Sequence, residues 1–365
     1  MIHEFFMYRC LQQASYGAGY VAPNPMVGAV LVFNGEIIGE GYHKKYGEAH
    51  AEVNCISSVK EEDRELISQS ILYVSLEPCN HFGKTPPCSD LIIKSGIKKV
   101  VVGCRDPFEQ VNARLNDPVG QGKGIEKLKT AGVEVMEGIL EDECKELNKR
   151  FFTFHTKHRP YIILKWAESA DNKIAASPPP EEVISEDSAY SRLFISNEHT
   201  NRLVHKWRSE EASILVGTNT ALADNPELTT RLWPGPSPTR LVVDLNLRLP
   251  ADLKIFNSAQ RTIIFNKIKQ EENGNLFYYK LKEHEGLVYQ IANALYELKI
   301  QSVLVEGGAR LLQSFIDADL WDEARVIKNG KFKIKNGLAA PVLSLSVNKN
   351  QMSLLDDKII FYQKI

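Results

Sequence analysis

The sequence predicts an α/β protein of two domains, and three observations carry that prediction. The chain has 365 residues, more than one ordinary core organises. Strand and helix signals alternate from residue 28 to about 157. A fresh strand then begins after Pro160. The boundary is expected between about residues 150 and 160, with a first domain over 1–152 and a second over 158–365.

The first domain opens with "GAVLVFNGEIIGEGYH" (28–43), two alternating apolar runs about Asn34-Gly35. That dipeptide accepts the positive φ angles of a tight hairpin turn. "EAHAEVNCISSV" (48–59) reads as a helix and "ILYVSLE" (71–77) as a buried strand. "SDLIIKSG" (89–96) is a short helix closed by Gly96, and "IKKVVVGCRD" (97–106) is the next strand. The same helix, glycine and strand pattern recurs in "GKGIEKLKTAG" (122–132) and "VEVMEGIL" (133–140). "EDECKELNKRFFTFHTK" (141–157) reads as one amphipathic helix. Its acidic first turn and basic last turn suit the helix dipole.

In the second domain "RPYIILKWAESADNKIA" (159–175) supplies the opening strand, and "ASPPPEE" (176–182) is loop. "EHTNRLVHKWRSE" (198–210) follows as a helix, then "ASILVGTNTALADNP" (212–226) as strand and turn. "TRLVVDLNLRLP" (239–250) and "RTIIFN" (261–266) are strands. Residues 302–328 give strand, Gly-Gly turn, helix and strand. No internal repeat relates the two halves.

Composition narrows the function classes. Lys plus Arg (44) nearly balances Asp plus Glu (46), the net charge is −2, and no block of like charges occurs. Electrostatic capture of nucleic acid or of an anionic membrane is therefore not expected. An apolar content of 43% and a charged content of 25% are those of a soluble globular protein. The N-terminus lacks the basic region and apolar core of a signal peptide, and no run is long enough to span a bilayer. Six cysteines in so long a chain do not make a disulfide scaffold. A cytoplasmic protein is expected, in which a clustered Cys pair more often signals metal or catalysis.

The chemistry concentrates in "SLEPCNHFGKTPPCSDL" (75–91), where Cys79 and Cys88 each follow a proline. His50 and Glu52 lie upstream in "HAE", at the start of a predicted helix. Zinc takes thiolate and imidazole ligands, and a catalytic zinc keeps three protein ligands and one open position. His-x-Glu followed by Pro-Cys and a second Cys is the pattern of zinc deaminases of nucleosides and bases. In that chemistry His50, Cys79 and Cys88 are ligands and Glu52 is the proton shuttle. A structural zinc with His81 or Cys55 as fourth ligand is the other reading, and it leaves Glu52 without a role. A redox pair is not expected, because eight residues separate the cysteines instead of two.

Common deaminases of this superfamily have two residues between the cysteines, and the longer loop here is where one family is resembled. "PNPMVGAVLV", "GEGYH", "GEAHAEV", "LEPCNHFGKTPPCSDLIIKSGIKKVVVGCRDP" and "GKGIEKLKTAGVEV" resemble the deaminase half of the bifunctional riboflavin-biosynthesis deaminase/reductases. The resemblance implies a cytidine-deaminase-like three-layer α/β/α domain. It puts the zinc ligands on His50, Cys79 and Cys88, the shuttle on Glu52, and substrate contacts on Asn24, His43 and Lys84. One departure is "FEQVNARLNDPVGQ" (108–121), which looks like an insertion.

The resemblance continues through "YIILKWAESADNKIA", "LVHKWRSEEASILVGTNTALADNPELTTR" and "VLVEGGARLLQSF". It implies a dihydrofolate-reductase-like α/β domain that uses NADPH. Cofactor contacts fall on Thr220, Asp224 and the turn carrying Gly308, Ala309 and Arg310, where backbone amides can meet a phosphate. Substrate contacts fall on Arg208, Arg231 and Glu306, and the two guanidinium groups suit a ribose phosphate. Lys165 and Asp171 read equally as ordinary charged surface. Asp171-Asn172 stands where the family has Asp-Gly, and Asn tolerates positive φ. Phe194 stands where the family has Trp, and Arg192 replaces a small polar residue.

The implied function is bifunctional. The first domain would hydrolytically deaminate 2,5-diamino-6-(5-phosphoribosylamino)pyrimidin-4-one, and the second would use NADPH to reduce the ribosyl group to a ribityl chain. The alternative is a deaminase whose C-terminal domain binds but turns over poorly. The partner expected is this small phosphorylated pyrimidine, with no nucleic acid and no membrane. A homo-oligomer is neither required nor excluded.

Overall fold

In a computed structural model of the protein, Asn34 and Gly35 take φ angles of 49° and 87° and close the expected hairpin. The structure describes residues 2–82, 86–108, 124–176, 195–343 and 347–364. It divides into two compact units, Met1–Arg159 and Pro160–Ile365.

In the first unit the strands are β1 (Gly28–Phe33), β2 (Glu36–Tyr42), β3 (Ile71–Leu76), β4 (Lys99–Cys104) and β5 (Glu134–Glu137). They form one sheet in the order β2-β1-β3-β4-β5. β1 is antiparallel to both neighbours, and β3, β4 and β5 run parallel. The helices are α1 (Ile2–Ser15), α2 (Ala51–Ser57), α3 (Cys88–Lys94), α4 (Gly124–Thr130), α5 (Glu141–Leu147) and α6 (Lys149–Lys157).

Successive strand residues point to opposite faces, so each sheet face builds its own core. Leu31, Leu72, Val74, Val100 and Val102 pack with Cys55 of α2, Ile92 of α3 and Leu128 of α4. Val30, Val32, Tyr73 and Val101 pack with Met7 and Cys10 of α1 and Cys144 of α5. The unit is therefore a three-layer α/β/α sandwich. α2 lies hard against β2, where a Cβ on Gly41 would stand 2.4 Å from the Cys55 amide nitrogen. That close approach fixes the height of the N-terminus of α2 above the sheet.

The single helix expected over 141–157 is two helices, α5 and α6, broken at Asn148 (φ −102°, ψ 20°). Asn148 is buried. Its side-chain amide accepts from the Met26 N–H and donates to the Met26 carbonyl, each at 2.8 Å. A short amide that bonds backbone elsewhere competes with the helix ladder. α1 was not expected, because Ile2, Phe5 and Tyr8 are exposed and blur its apolar stripe.

In the second unit the elements begin with β6 (Tyr161–Glu168), β7 (Lys173–Ala176), α7 (Glu198–Glu210), β8 (Ser213–Gly217), α8 (Thr218–Asp224), β9 (Thr239–Val243) and β10 (Thr262–Asn266). They continue with β11 (Glu271–Asn273), β12 (Leu276–Lys280), α9 (Leu287–Glu297), β13 (Ser302–Val305), α10 (Ala309–Asp317), β14 (Glu323–Asn329), β15 (Gly337–Ala339), β16 (Val347–Leu354) and β17 (Asp357–Lys364). Ten strands form one sheet in the order β11-β12-β10-β9-β8-β13-β6-β14-β17-β16. From β12 to β14 neighbours run parallel, and the strands added at either edge are antiparallel. α9 and α10 cover one face through Ile291, Leu295, Leu312 and Phe315, and α7 covers the other through Val204 and Trp207. Burial on both faces is why the central strands read as continuous apolar runs.

Two expectations are corrected here. The stretch after β8, read as a turn, is the helix α8, and the strand read over 239–250 ends at Val243. The chain turns at that point because the Asp244 carboxylate accepts the Leu249 N–H at 2.9 Å. Asn172 has φ 57°, the left-handed turn its side chain was expected to tolerate. Lys84, Arg192, Phe194, the Pro-rich loop from Ser177 and most of the apparent insertion lie outside the described residues. Among the described residues no helix is long and apolar enough to cross a membrane.

Candidate functional site

His50 is the N-cap of α2, in extended conformation, and Glu52 lies in that helix's first turn. Cys79 sits in the loop after β3, and Cys88 is the first residue of α3. Strand exits and helix N-termini thus bring three soft donors to one point. The His50 Nδ1 is 3.5 Å from Cys79 Sγ and 3.4 Å from Cys88 Sγ, and all three donor atoms lie within 4.8 Å of one another. Among the described residues this is the one such group, and neither His81 nor Cys55 belongs to it. Cys55 is buried in the core beneath α2, and the His81 ring stands edge-on to Phe108.

The donor set fits zinc. Among the described residues two thiols and an imidazole converge with no fourth donor, the arrangement of an open catalytic site. The hydrogen bond with Cys88 pulls the Cys79 thiol down; burial opposes it, and the His50 ring and the Cys88 N–H at 3.3 Å add to the pull. A thiol held well below its ordinary value is ready to ligate as thiolate.

Glu52 is buried at 3% exposure and hydrogen-bonds with the Cys88 thiol. Burial, with the nearby Cys79, pushes its carboxyl up to about 7. The His43 ring meets the His50 ring edge-on at 5.4 Å. His43 Nδ1 is 3.0 Å from the Ala49 carbonyl, which can only accept, so Nδ1 carries the proton. Burial holds His43 below its ordinary value, so the neutral ring presents Nε2 as an acceptor, and Asn24 Nδ2 donates to it at 3.1 Å. Asn24 and His43 are thus brought beside His50. The Ala49 carbonyl also receives Asn54 Nδ2 at 3.3 Å, a brace for this corner that sequence reasoning did not identify.

In the second unit Arg208 donates through Nε and Nη2 to both oxygens of Glu306, at 2.8 and 2.6 Å. Lys165 Nζ stands 3.8 Å from the same carboxylate, so its position is not that of bland surface. Burial pushes the Glu306 carboxyl up, but the Arg208 and Lys165 charges outweigh it and hold Glu306 at about 2. Arg231 is exposed, with its guanidinium 3.6 Å from Glu227. Its backbone N–H donates to His205 Nδ1 at 3.1 Å. Burial and the Arg208 and Arg231 charges hold His205 down at about 4. No local pattern on α7 marks His205, because its partner is 26 residues away. Asp171 is a turn residue whose carboxylate holds Ser169 Oγ and the Ile334 N–H.

The Gly307-Gly308 turn leads into α10, with Gly308 at φ 80° and no side chain capping the helix. A Cβ on Gly307 would stand 2.7 Å from Thr220, so the turn and α8 pack backbone to side chain. Asp224 lies one turn beyond Thr220 on the same helix face. Bare glycine backbone at an uncapped helix N-terminus fits a nucleotide phosphate. Arg310, exposed on the first turn of α10, lines an adjoining cleft of about 250 Å³.

The chain matches two known families. The cytidine and deoxycytidylate deaminase zinc-binding region matches residues 1–104, and the RibD C-terminal domain matches residues 160–332. The chain is 37% identical to a riboflavin biosynthesis protein RibD of Aquifex aeolicus, over 100% of this chain and 99% of that one. It is 32% identical to the Escherichia coli protein of the same name, over 88% and 86%. Among solved structures it is similar to a diaminohydroxyphosphoribosylaminopyrimidine deaminase/5-amino-6-(5-phosphoribosylamino)uracil reductase from Thermotoga maritima. That similarity has a TM-score of 0.84, 35% identity, and coverage of 100% and 99%.

Proposed function

Because the chain belongs to the RibD family of riboflavin-biosynthesis proteins, we infer that its two units catalyse consecutive steps on one phosphoribosylated pyrimidine. The first is a zinc-dependent deaminase and the second an NADP-dependent reductase. The substrate we assign is 2,5-diamino-6-(5-phosphoribosylamino)pyrimidin-4-one, which loses its 2-amino group by hydrolysis before its ribosyl group is reduced to a ribityl chain. One observation carries the residue assignment: a three-donor cluster of His50, Cys79 and Cys88 with the buried Glu52 carboxyl against it.

Zinc, when bound, supplies the Lewis acidity that lets water attack near neutral pH. His50, Cys79 and Cys88 hold it. Glu52 accepts a proton from the attacking water and delivers one to the departing amine, so that ammonia leaves uncharged. His43, its tautomer set by the Ala49 carbonyl, orients the Asn24 amide at the edge of the same site. In the second unit the Gly308–Arg310 turn, Thr220 and Asp224 hold NADPH. Arg231 takes the ribose phosphate, and Arg208 and Glu306 form the charged wall of the substrate pocket. Six unbridged cysteines support a cytoplasmic setting.

The test is an assay of the purified chain on the phosphoribosylated diaminopyrimidine, with and without NADPH. Ammonia release without NADPH, and NADPH oxidation only after deamination, are expected. Ammonia release with no NADPH oxidation at any stage would make the second unit a binding domain only.

A further inference from the structure

His205 is 1% exposed and lies one turn before Arg208 on α7, so the two side chains share a helix face. Both reach the same remote segment. Arg208 Nη1 donates to the Thr229 carbonyl at 3.3 Å, and His205 Nδ1 accepts the Arg231 N–H at 3.1 Å. Between them the Thr230 N–H donates to Ser237 Oγ at 3.0 Å. Thr229, Thr230 and Arg231 are thus each tied by a side chain. They follow Leu228, which is buried at φ 54°, a left-handed conformation that a leucine adopts only when its surroundings impose it.

A backbone N–H can only donate, so His205 Nδ1 must accept, and the proton of the neutral ring sits on Nε2. An imidazolium would set N–H against N–H and break the tie. Burial, with the Arg208 and Arg231 charges, holds His205 at about 4, so the ring is neutral at physiological pH. The Arg208 guanidinium is committed to both oxygens of Glu306. That of Arg231 stands 3.6 Å from Glu227, in a pair whose side chains are 44% and 40% exposed. A solvated pair of this kind is weak, so an anionic ligand can take the guanidinium over. Ordering a long side chain costs affinity, and a root fixed at its own N–H lowers that cost.

Resting on the reading of Arg231 as the ribose-phosphate contact, we propose that His205 is a positioning residue for it. By fixing the backbone of Arg231, His205 sets the preference of the second unit for a phosphorylated over a dephosphorylated substrate.

NADPH oxidation by the full chain tests this with two substrates, the deaminated intermediate and the same compound after removal of its ribose phosphate. Asn carries its side-chain oxygen close to where Nδ1 stands, whereas Gln carries it out toward Nε2. His205→Gln should lower kcat/KM for the phosphorylated substrate about 3- to 10-fold, through KM and with kcat near wild type, the mark of lost uniform binding. The dephosphorylated compound should react as it does with wild type, and His205→Asn should restore the phosphorylated KM. Arg231→Ala should erase the preference for phosphate altogether. An unchanged KM in His205→Gln, with Arg231→Ala impaired as expected, overturns the positioning role and leaves Arg231 in place. An equal loss on both substrates, or a loss in His205→Asn as large as in His205→Gln, overturns it too, since damaged packing discriminates neither phosphate nor acceptor position. A preference that survives Arg231→Ala removes the phosphate reading of Arg231, and the role of His205 falls with it.

Discussion

The Glu77 carboxylate accepts the Ile125 N–H through one oxygen at 3.2 Å, and through the other it accepts the Asp106 N–H at 3.3 Å. These two amides lie on either side of the apparent insertion over 108–121, so one buried side chain ties the chain before it to the chain after it. Gly124 adds to the clamp, since a Cβ there would stand 1.9 Å from the Pro78 carbonyl oxygen. Pro78 precedes Cys79 directly. The chain on either side of residues 109–123 is therefore tied to the strand exit that leads into the Cys79 loop.

Glu77→Gln replaces one acceptor with an N–H donor that faces another N–H. Each buried amide left without a partner costs about 1–3 kcal/mol. In a unit of this size that lowers the unfolding midpoint by several degrees. Calorimetry of the full chain should show the loss confined to the transition of the first unit. An unshifted transition would mean that the clamp carries no stability.

The metal prediction follows from the donor count. One zinc per chain is expected by elemental analysis, lost in His50→Ala, Cys79→Ser and Cys88→Ser alike, because two remaining ligands hold zinc poorly. Reduction of a pre-deaminated intermediate should survive in all three. Stoichiometric zinc in every variant would remove these residues from the ligand set.

How much of this was legible in the sequence depends on the range of the interactions. The Asn34-Gly35 turn, the buried strands and the His-x-Glu with two Pro-Cys are short patterns whose physics is local, and they were read where they stand. The break at Asn148 was not, because its cause is Met26, 122 residues away. His205 and Lys165 matter for partners far along the chain, the Arg231 N–H and the Glu306 carboxylate, and their own neighbours in sequence do not disclose them. Residues 270–297 and the C-terminal strands β15, β16 and β17 went unread. Glu271–Asn273 is exposed throughout, and β17 alternates only weakly, so neither period stands out.

The Arg208–Glu306 pair makes a prediction about acid. Glu306 titrates at about 2 in the folded chain, against an ordinary 4.5, so its charged form is bound more tightly in the native state. Its contribution is complete above about pH 4.5 and is lost as pH falls toward 2. Glu306→Gln leaves the Arg208 guanidinium buried without its anion, at a cost of about 3–5 kcal/mol, and erases that acid dependence. Acid unfolding of the second unit, compared between wild type and variant, checks both statements. NADPH oxidation should be lost and ammonia release retained.

Glu52→Gln separates a proton shuttle from a ligand. The amide keeps the length and much of the hydrogen-bonding reach of the carboxylate, but it cannot take the proton of an attacking water. Zinc should stay, because His50, Cys79 and Cys88 are unchanged and Glu52 lies outside the converging donor set. Reduction of pre-deaminated intermediate should proceed normally, since its residues belong to the other unit. Deamination alone should fall, by roughly 10²- to 10⁴-fold, the usual loss when a general acid–base is removed. Because the same residue serves the water and the leaving amine, no rescue by higher substrate concentration is expected: kcat should carry the loss and KM should stay near its wild-type value. A variant that loses zinc would place Glu52 among the ligands. One that deaminates at the wild-type rate would assign the shuttle to another group.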